Sequence, residues 1–209
     1  MNFFSLPRKV GNFYFHGDRS FNKIALTFDD GPSEETERIL NILKRYNAKA
    51  MFFIWGKRIK GREKILNQII DEGCEVGNHT FSHKRLGFKF REFIDKDILK
   101  CDKELEKIGI KTSLFRFPGF SFGLNSILAC KKLNKKVIFC DVISDDWKLR
   151  GVDFSLEIIK RRIKNGSIIS FHDYVESVGK NKFVVEILEN FLKEFSGKFN
   201  FVNVSNILK

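Results

Sequence analysis

The chain has 209 residues, 43% of them hydrophobic, and no Pro/Gly/Ser-rich linker or internal repeat divides it. This is enough for one domain with a sizeable core and argues against an extended or disordered chain. The 38 Lys and Arg against 26 Asp and Glu give a net charge of +12. Because the basic residues are scattered, we expect solvated helix faces, or attraction to anionic substrates or membranes, and no nucleic-acid site.

The cysteines and the N-terminal residues indicate the cellular compartment in which the protein is expected. The four cysteines, at positions 74, 101, 130 and 140, stand far apart without a C-x-x-C pair, so we expect reduced thiols and no cysteine metal cluster. The first eleven residues lack an apolar stretch of signal-peptide length, and nothing downstream is long enough to span a bilayer. We therefore expect a cytoplasmic location.

In chain order, residues 1–22 predict an irregular, phenylalanine-rich lead-in, and residues 23–209 predict one domain. Apolar runs predict seven strands, at 24–28, 48–54, 74–78, 113–116, 136–142, 167–171 and 199–202. Amphipathic helices are predicted between them, around 34–46, 65–72, 90–108, 126–133, 155–164 and 182–195, with a short helical tail. This alternation is typical of an α/β fold with a parallel sheet, either closed as a barrel or open.

The first predicted strand ends in Asp29 and Asp30, followed by Gly31 and Pro32. Side chains alternate along a strand, so the two carboxylates should lie in different surroundings. Such a pair suits two roles, one binding a cation and one moving protons. An isolated Asp-Asp is more often a solvated turn, and only the rest of the chain favours the functional interpretation.

Other polar residues follow other predicted strands, at the edge where parallel α/β folds build their sites. They are His79 and His83, Arg116, Asp145-Asp146-Trp147, and His172-Asp173. The i, i+4 spacing of His79 and His83 predicts both imidazoles on one face of a helical turn. Two histidines, one carboxylate and a water form a common catalytic zinc set. No glutamate lies between the histidines, which leaves Asp29 as the candidate base.

These residues carry a resemblance that covers the chain from about residue 23 to its end. The sequence resembles the polysaccharide deacetylases of carbohydrate esterase family 4, the nodulation-factor deacetylase homology domain. Five family motifs occur in order: T-F-D-D-G-P at 27–32, H-[ST]-x-x-H at 79–83, R-x-P at 116–118, D-W at 146–147, and the strand ending in histidine at 170–172. The resemblance implies an irregular (β/α) barrel of about seven parallel strands.

The resemblance also implies a role for each matched position. Asp30, His79 and His83 would hold one divalent metal, most often zinc. Asp29 would be the base oriented by Arg116, and His172 the acid tuned by Asp146. The remaining matched residues would form the substrate pocket: Trp147 as a wall, the Gly119 backbone N–H as oxyanion donor, and Phe120 and Ser170 beside the acyl group.

Two positions depart from the family pattern. An aromatic residue usually follows the proline of the third motif, whereas Gly119 and Phe120 follow it here. Ser170 stands where the family has leucine, and the smaller side chain would widen the acyl pocket or be compensated by neighbouring rings. Both departures concern the pocket and leave the reaction type unaffected.

The implied reaction is hydrolysis of an N-acetyl or other N-acyl group on an amino sugar. The substrate would be a polysaccharide, an oligosaccharide, a lipid-linked sugar or a small acetamide, and the basic charge allows it to be anionic. Two other classes of function stay open: a catalytically inactive sugar-binding relative, and a basic nucleic-acid-binding protein. The retained motif residues argue against the first, and the absence of clustered Lys/Arg with aromatics argues against the second.

Overall fold

The computed structural model describes residues 7–208, which form ten strands and seven α-helices. The strands are β1 (Lys9–Val10), β2 (Phe13–Tyr14), β3 (Lys23–Asp29), β4 (Ala50–Ile54), β5 (Glu75–Asn78), β6 (Leu114–Phe115), β7 (Lys136–Ile138), β8 (Val142–Ile143), β9 (Ile168–His172) and β10 (Asn200–Phe201). The helices are α1 (Glu34–Arg45), α2 (Glu63–Asp71), α3 (Arg91–Glu106), α4 (Leu124–Lys132), α5 (Val152–Arg162), α6 (Val184–Phe195) and α7 (Val204–Ile207). Within residues 7–208, no helix is long and apolar enough to cross a membrane.

The strands form one sheet in the order β1-β2-β7-β6-β5-β4-β3-β9-β8, with β10 beside the start of β3. Every pairing is parallel except that of β1 with β2. The sheet curls into a half-barrel with helices packed on it, which confirms the predicted α/β barrel class. Parallel pairing brings the carboxyl ends of β3, β5, β6 and β9 to one edge.

Two parts of the strand prediction differ from the structure. The segment 136–142 is not one strand, because β7 pairs with β6 whereas β8 pairs with β9. Residues 9–14 of the predicted irregular lead-in form a hairpin, and β2 extends the sheet by pairing with β7. Residues 1–6 of that lead-in lie outside the described part of the chain. Where the domain begins stays a prediction.

Alternation along β3 sends its side chains to two different environments. Leu26 and Phe28 face the helices, and the Phe28 ring lies 5.1 Å from Phe52 and 5.4 Å from Phe171. On the inner face, Ala25 belongs to an apolar cluster that includes residues of α7. Burial of one such phenylalanine contributes about 1.5–3 kcal/mol. The apolar cluster fills one end of the half-barrel, while Thr27 and Asp29 carry polar groups inward at the other.

Candidate active site

The predicted base, Asp29, is paired with a fully buried arginine. Nη1 of Arg116 lies 2.8 Å from Oδ1 of Asp29, and the arginine is 0% exposed. The same guanidinium donates to the backbone carbonyls of Ile138 and Phe139, at 3.0 and 3.2 Å. These carbonyls lie at and just after the end of β7, so the interrupted strand supplies acceptors for the arginine. Each nitrogen of the buried guanidinium donates at least one hydrogen bond, which fixes the orientation of the group and of the carboxylate paired with it.

Two hydroxyls complete the surroundings of this pair. Thr27 and Ser170 are neighbours across β3 and β9, on the inner face of the half-barrel. Arg116 donates to the Thr27 hydroxyl at 2.7 Å, and Ser170 donates to Oδ2 of Asp29 at 3.2 Å. Both oxygens of the Asp29 carboxylate are thereby engaged by buried donors.

Asp30 faces away from Asp29 and towards the two histidines. Oδ1 of Asp30 lies 2.8 Å from Nε2 of His83 and 3.4 Å from Nε2 of His79. The prediction that the histidines share a helical turn is wrong. Residues 79–83 form a loop in which Thr80 and His83 have left-handed backbones, with φ of 65° and 57°. The Thr80 side chain accepts a hydrogen bond from the His83 N–H at 3.0 Å, which stabilises the loop.

The donor set of this loop fits a cation. Nδ1 of His79 lies 2.8 Å from the carbonyl of Arg116, so it carries the proton and Nε2 presents a lone pair to Asp30. Oδ1 of Asp30 is buried without a hydrogen-bond partner. One ligand atom each from Asp30, His79 and His83 lies within 4.8 Å of the others. Three convergent lone pairs on a carboxylate and two imidazoles constitute a possible metal site.

The protonation of these groups reflects their mutual charge. Burial acts to raise the pKa of Asp30, but the imidazoles of His79 and His83 hold it well below its ordinary value. Burial acts to lower the pKa of His83, yet the Asp30 carboxylate raises it overall. The site therefore favours an ionised carboxylate, the form that binds cations.

His172 and Asp146 form the second ion pair at this edge. Nδ1 of His172 lies 3.0 Å from Oδ1 of Asp146, whose other oxygen accepts from the His172 backbone N–H at 2.8 Å. Burial opposes the charged imidazole, but Asp146 and, at longer range, Asp30 and Asp29 raise the pKa of His172 to about 10. His172 is therefore positioned as a proton donor.

Two residues that the sequence did not single out fix Asp146. Ser144 donates to Oδ1 at 2.7 Å, and Asn181 donates to Oδ2 at the same distance. Asn181 also donates to the carbonyl of His172 at 2.8 Å, so it connects both members of the pair. Ser144 could have been predicted because it lies two residues before the D-W motif, whereas nothing in the sequence around Asn181 indicates its role.

The predicted pocket residues are placed as follows. Ser170 is fully buried beside Asp29, whereas Trp147 is 47% exposed next to Asp146. Gly119 and Phe120 belong to a short 3₁₀ turn, with left-handed φ of 57° and 51°. The Phe120 ring lies 5.7 Å from the Arg116 guanidinium. The oxyanion role of Gly119 and the acyl contacts of Phe120 and Ser170 stay predictions.

Asp173 follows His172 and supports the turn that carries Asp30. Oδ2 of Asp173 accepts a hydrogen bond from the Thr36 hydroxyl, and its backbone carbonyl accepts from Ser33 at 2.6 Å. A Cβ on Gly31 would lie 2.1 Å from the Asp173 carboxylate, so this close approach requires glycine. Burial raises the pKa of Asp173 to about 7.

Aromatic residues border the histidine loop and were also missed by the sequence reading. The Trp55 ring lies 4.8 Å from His83, and its indole N–H donates to the carbonyl of Phe81 at 3.1 Å. Tyr174 lies 6.3 Å from Trp55 and stacks with Arg58, whose guanidinium carbon is 3.3 Å from the ring. Trp55 follows the end of β4 by one residue, and Tyr174 follows the end of β9 by two. This position after a strand could have indicated both residues from the sequence.

Comparison with known proteins identifies the family of the chain. The profile of the polysaccharide deacetylase family matches residues 16–138. A peptidoglycan-N-acetylglucosamine deacetylase of Bacillus cereus is 31% identical over 190 residues, which cover 89% of this chain and 88% of that protein. The peptidoglycan-N-acetylmuramic acid deacetylase PdaC of Bacillus subtilis is 36% identical over 152 residues, which cover 72% of this chain and 32% of that protein.

Solved structures lead to the same assignment. A crystal structure of a peptidoglycan N-acetylglucosamine deacetylase superposes with a TM-score of 0.88 and 28% identity, over 94% of this chain and 92% of that one. A pseudoenzyme of carbohydrate esterase family 4 from Bacillus anthracis superposes with a TM-score of 0.82 and 26% identity, over 94% and 69%. The family match and the first relative confirm the resemblance read from the motifs. The chain belongs to the polysaccharide deacetylase family.

Proposed function

We propose that this protein is a metal-dependent hydrolase, with zinc as its metal, that removes N-acetyl groups from the amino sugars of a peptidoglycan-type glycan. The observation that carries the proposal is the placement of three groups at one edge. These are the Asp29–Arg116 pair, the lone pairs of Asp30, His79 and His83, and the His172–Asp146 pair. They supply a base, a cation site and an acid.

The proposed roles follow from geometry and charge. When bound, a divalent cation would lower the pKa of a water and polarise the acetyl carbonyl. Asp29, held by Arg116, takes the proton of the attacking water. His172 then donates a proton to the sugar nitrogen as the C–N bond breaks, so the products are acetate and a free amine. The Gly119 N–H donates to the carbonyl oxygen as negative charge develops on it.

The identity of the sugar is part of the proposal. The Bacillus cereus relative is a deacetylase of N-acetylglucosamine and PdaC one of N-acetylmuramic acid, both in peptidoglycan. We therefore take a peptidoglycan-type glycan as the substrate, with lipid-linked sugars and small acetamides as alternatives. The cytoplasmic location expected from the sequence stays a prediction.

Acetate release tests the proposal. The metal-loaded protein is incubated with peptidoglycan fragments, chitin oligomers, a lipid-linked amino sugar and a small acetamide, and mass spectrometry locates the free amine. We expect release from glycan fragments that a chelator abolishes and zinc restores. Glycan binding without acetate release, at full zinc occupancy, would instead support the sugar-binding alternative, for which the pseudoenzyme relative is a precedent.

A further inference from the structure

A basic and aromatic loop follows the histidine loop directly. Residues 84–91, named the basic loop below, read Lys-Arg-Leu-Gly-Phe-Lys-Phe-Arg and contain four cations and no acid. Phe88 is 103% exposed and Phe90 is 85% exposed. Leu86, by contrast, is fully buried and anchors the loop to the core. Two strongly exposed phenylalanines separated by one residue are unusual on the surface of a soluble protein, where exposed large apolar side chains normally occur singly.

Helix α4 extends the same apolar surface. Leu124 is 72% exposed and Leu128 is 44% exposed, and their i, i+4 spacing puts them on one helix face. The start of α4 contacts the basic loop, because Asn125 donates to the carbonyl of Lys89 at 3.2 Å. Gly123 also packs against Gly87, whose carbonyl lies 2.4 Å from where a Cβ on Gly123 would be. The projecting phenylalanines and leucines thus occupy neighbouring segments.

This surface lies beside the catalytic edge. The basic loop begins one residue after His83, and Nε of Arg85 lies 3.3 Å from the Cβ position of Gly119. Acidic groups nearby are already paired: Asp95 with Arg91 and Lys132, and Glu92 with Lys96. The other cations of the loop, Lys84, Arg85 and Lys89, are exposed, and Nζ of Lys84 and Lys89 lies 5.8 and 6.0 Å from the Phe93 ring.

We propose that the basic loop and the exposed face of α4 form a docking surface for an anionic lipid membrane. Phe88, Phe90 and Leu124 would enter the interface between headgroups and acyl chains, while Lys84 and Lys89 contact anionic headgroups. Docking there would place the catalytic edge next to the bilayer. The proposal concerns this surface alone and does not depend on the proposed reaction.

Charge and chemistry favour a membrane over other occupants. A second copy of the chain would bring four cations against four in a symmetric contact, which repels. Neutral glycans are bound by aromatic rings combined with hydrogen-bond acceptors, and the basic loop carries no carboxylate. Nucleic acid would use the cations and rings, but aliphatic Leu124 and Leu128 add nothing to base stacking.

Vesicle flotation with the full chain tests the proposal. Vesicles of phosphatidylcholine with 30% phosphatidylglycerol, and vesicles of phosphatidylcholine alone, serve as probes at about 0.1 M salt, where the Debye length is about 10 Å. We expect binding to the anionic vesicles only, weakened by added salt. The variant Phe88→Ser/Phe90→Ser should lose at least about tenfold in partitioning. Lys84→Gln/Lys89→Gln should lose about 30-fold, which corresponds to about 1 kcal/mol per cation.

Matched controls lie at the opposite end of the molecule. Phe21 is 54% exposed and lies just before the start of β3, so Phe21→Ser removes a comparable ring away from the surface. Lys103→Gln/Lys107→Gln removes two exposed cations near the far end of α3. Both controls should bind vesicles like the wild type, and circular dichroism should show all variants folded.

Three results would overturn the proposal. The first is no binding to anionic vesicles by the wild type. The second is equal loss in the control and basic-loop variants, since charge alone would then explain binding. The third is a basic-loop variant that keeps vesicle binding but loses retention on sacculi or on single-stranded DNA, which would assign the surface to a glycan or a nucleic acid.

Discussion

Ser170 donates a hydrogen bond from its hydroxyl to Oδ2 of Asp29 at 3.2 Å. Arg116 engages the other oxygen of the same carboxylate, so the base is held from two sides. A leucine at position 170 could make no such bond. In this chain, the residue expected beside the acyl group is also in contact with the base.

Ser170→Ala tests the contact with the base. Because a hydrogen bond to a charged group contributes about 1.5–3 kcal/mol, we expect kcat to fall by about tenfold or more while metal content is kept. Steady-state kinetics with an N-acetylglucosamine oligomer measure this, and urea unfolding of the variant checks for a general loss of packing. An unchanged kcat in Ser170→Ala would show that Arg116 alone orients Asp29.

Ser170→Leu tests the acyl pocket predicted from the sequence. A larger apolar side chain should sharpen the preference for acetyl over propionyl, by no more than about 1–3 kcal/mol. The measurement is the ratio of kcat/KM for the two acyl substrates, which is insensitive to a uniform loss of activity. Equal ratios in wild type and Ser170→Leu would remove Ser170 from the pocket.

Asp29→Asn should keep the metal but lower kcat by about 10²–10⁴-fold, because the amide cannot accept the proton of water. The Arg116 guanidinium keeps an oxygen acceptor in this variant, whereas Asp29→Ala leaves the buried charge unpaired. Asp29→Ala should therefore also be destabilised, by about 3–5 kcal/mol. Urea unfolding separates the two effects, and substantial turnover by a folded Asp29→Asn protein would assign the base elsewhere.

Metal removal should destabilise the protein, because an ion held by Asp30, His79 and His83 binds the folded state and not the unfolded one. We expect about one zinc ion per chain by elemental analysis and a lower Tm after chelation. His79→Ala should lose both the metal and the Tm shift, whereas His16→Ala, which lies outside the site, should lose neither. Full metal content in His79→Ala would contradict the ligand assignment.

The raised pKa of His172 predicts the pH dependence of activity. With a folded pKa of about 10, the imidazole is charged at neutral pH, so the alkaline limb of the rate profile should lie well above pH 6.5. Asp146→Asn removes the nearest carboxylate and should move that limb down by about 1–3 pH units. The stability that the pair contributes is present below about pH 6.5 and is lost as the pH rises towards 10. A limb unmoved in Asp146→Asn would count against His172 as the acid.

Asp173 predicts a loss of stability with rising pH in a lower pH range than that of His172. Its pKa of about 7 in the folded protein exceeds its unfolded value of 3.8, so the folded state binds the extra proton. Stability should therefore fall as the pH rises from about 4 to about 7, by at most about 1.4 kcal/mol per pH unit. Asp173→Asn stays neutral, so its stability relative to wild type should increase over this range in urea unfolding. If the free energies of unfolding of the two proteins change in parallel with pH, the raised pKa of Asp173 is contradicted.

Most of the sheet could be predicted because each buried strand is an apolar run of its own. The hairpin of β1 and β2 could not, since its two-residue strands are too short to show periodicity. The run at 136–142 predicts a single strand because it is almost continuously apolar. At its interruption, the carbonyls of Ile138 and Phe139 accept hydrogen bonds from Arg116, a contact distant in sequence.

The site residues with motif spacing could be predicted, but their local conformation could not. The i, i+4 spacing of His79 and His83 is typical of a helix, yet left-handed residues in a loop bring the rings together. Asn181 was missed because its partners, Asp146 and His172, are set by the fold and not by spacing. The motifs therefore indicate the residues proposed to react better than the residues that orient them.

The burial of Arg116 has a consequence for how the specificity of this protein could be altered. Its guanidinium lies 4.1 Å from the Phe53 ring of β4 and donates to Thr27 of β3 and to the carbonyl of Ile138 of β7, so three strands contact it. Because Arg116 holds Asp29, movement of the proposed base would require movement of these strands. We therefore expect new specificity to arise in the outer loops, and exchanging residues 120–123 between relatives should change the substrate range while leaving the Gly119 N–H and the metal-site residues in place.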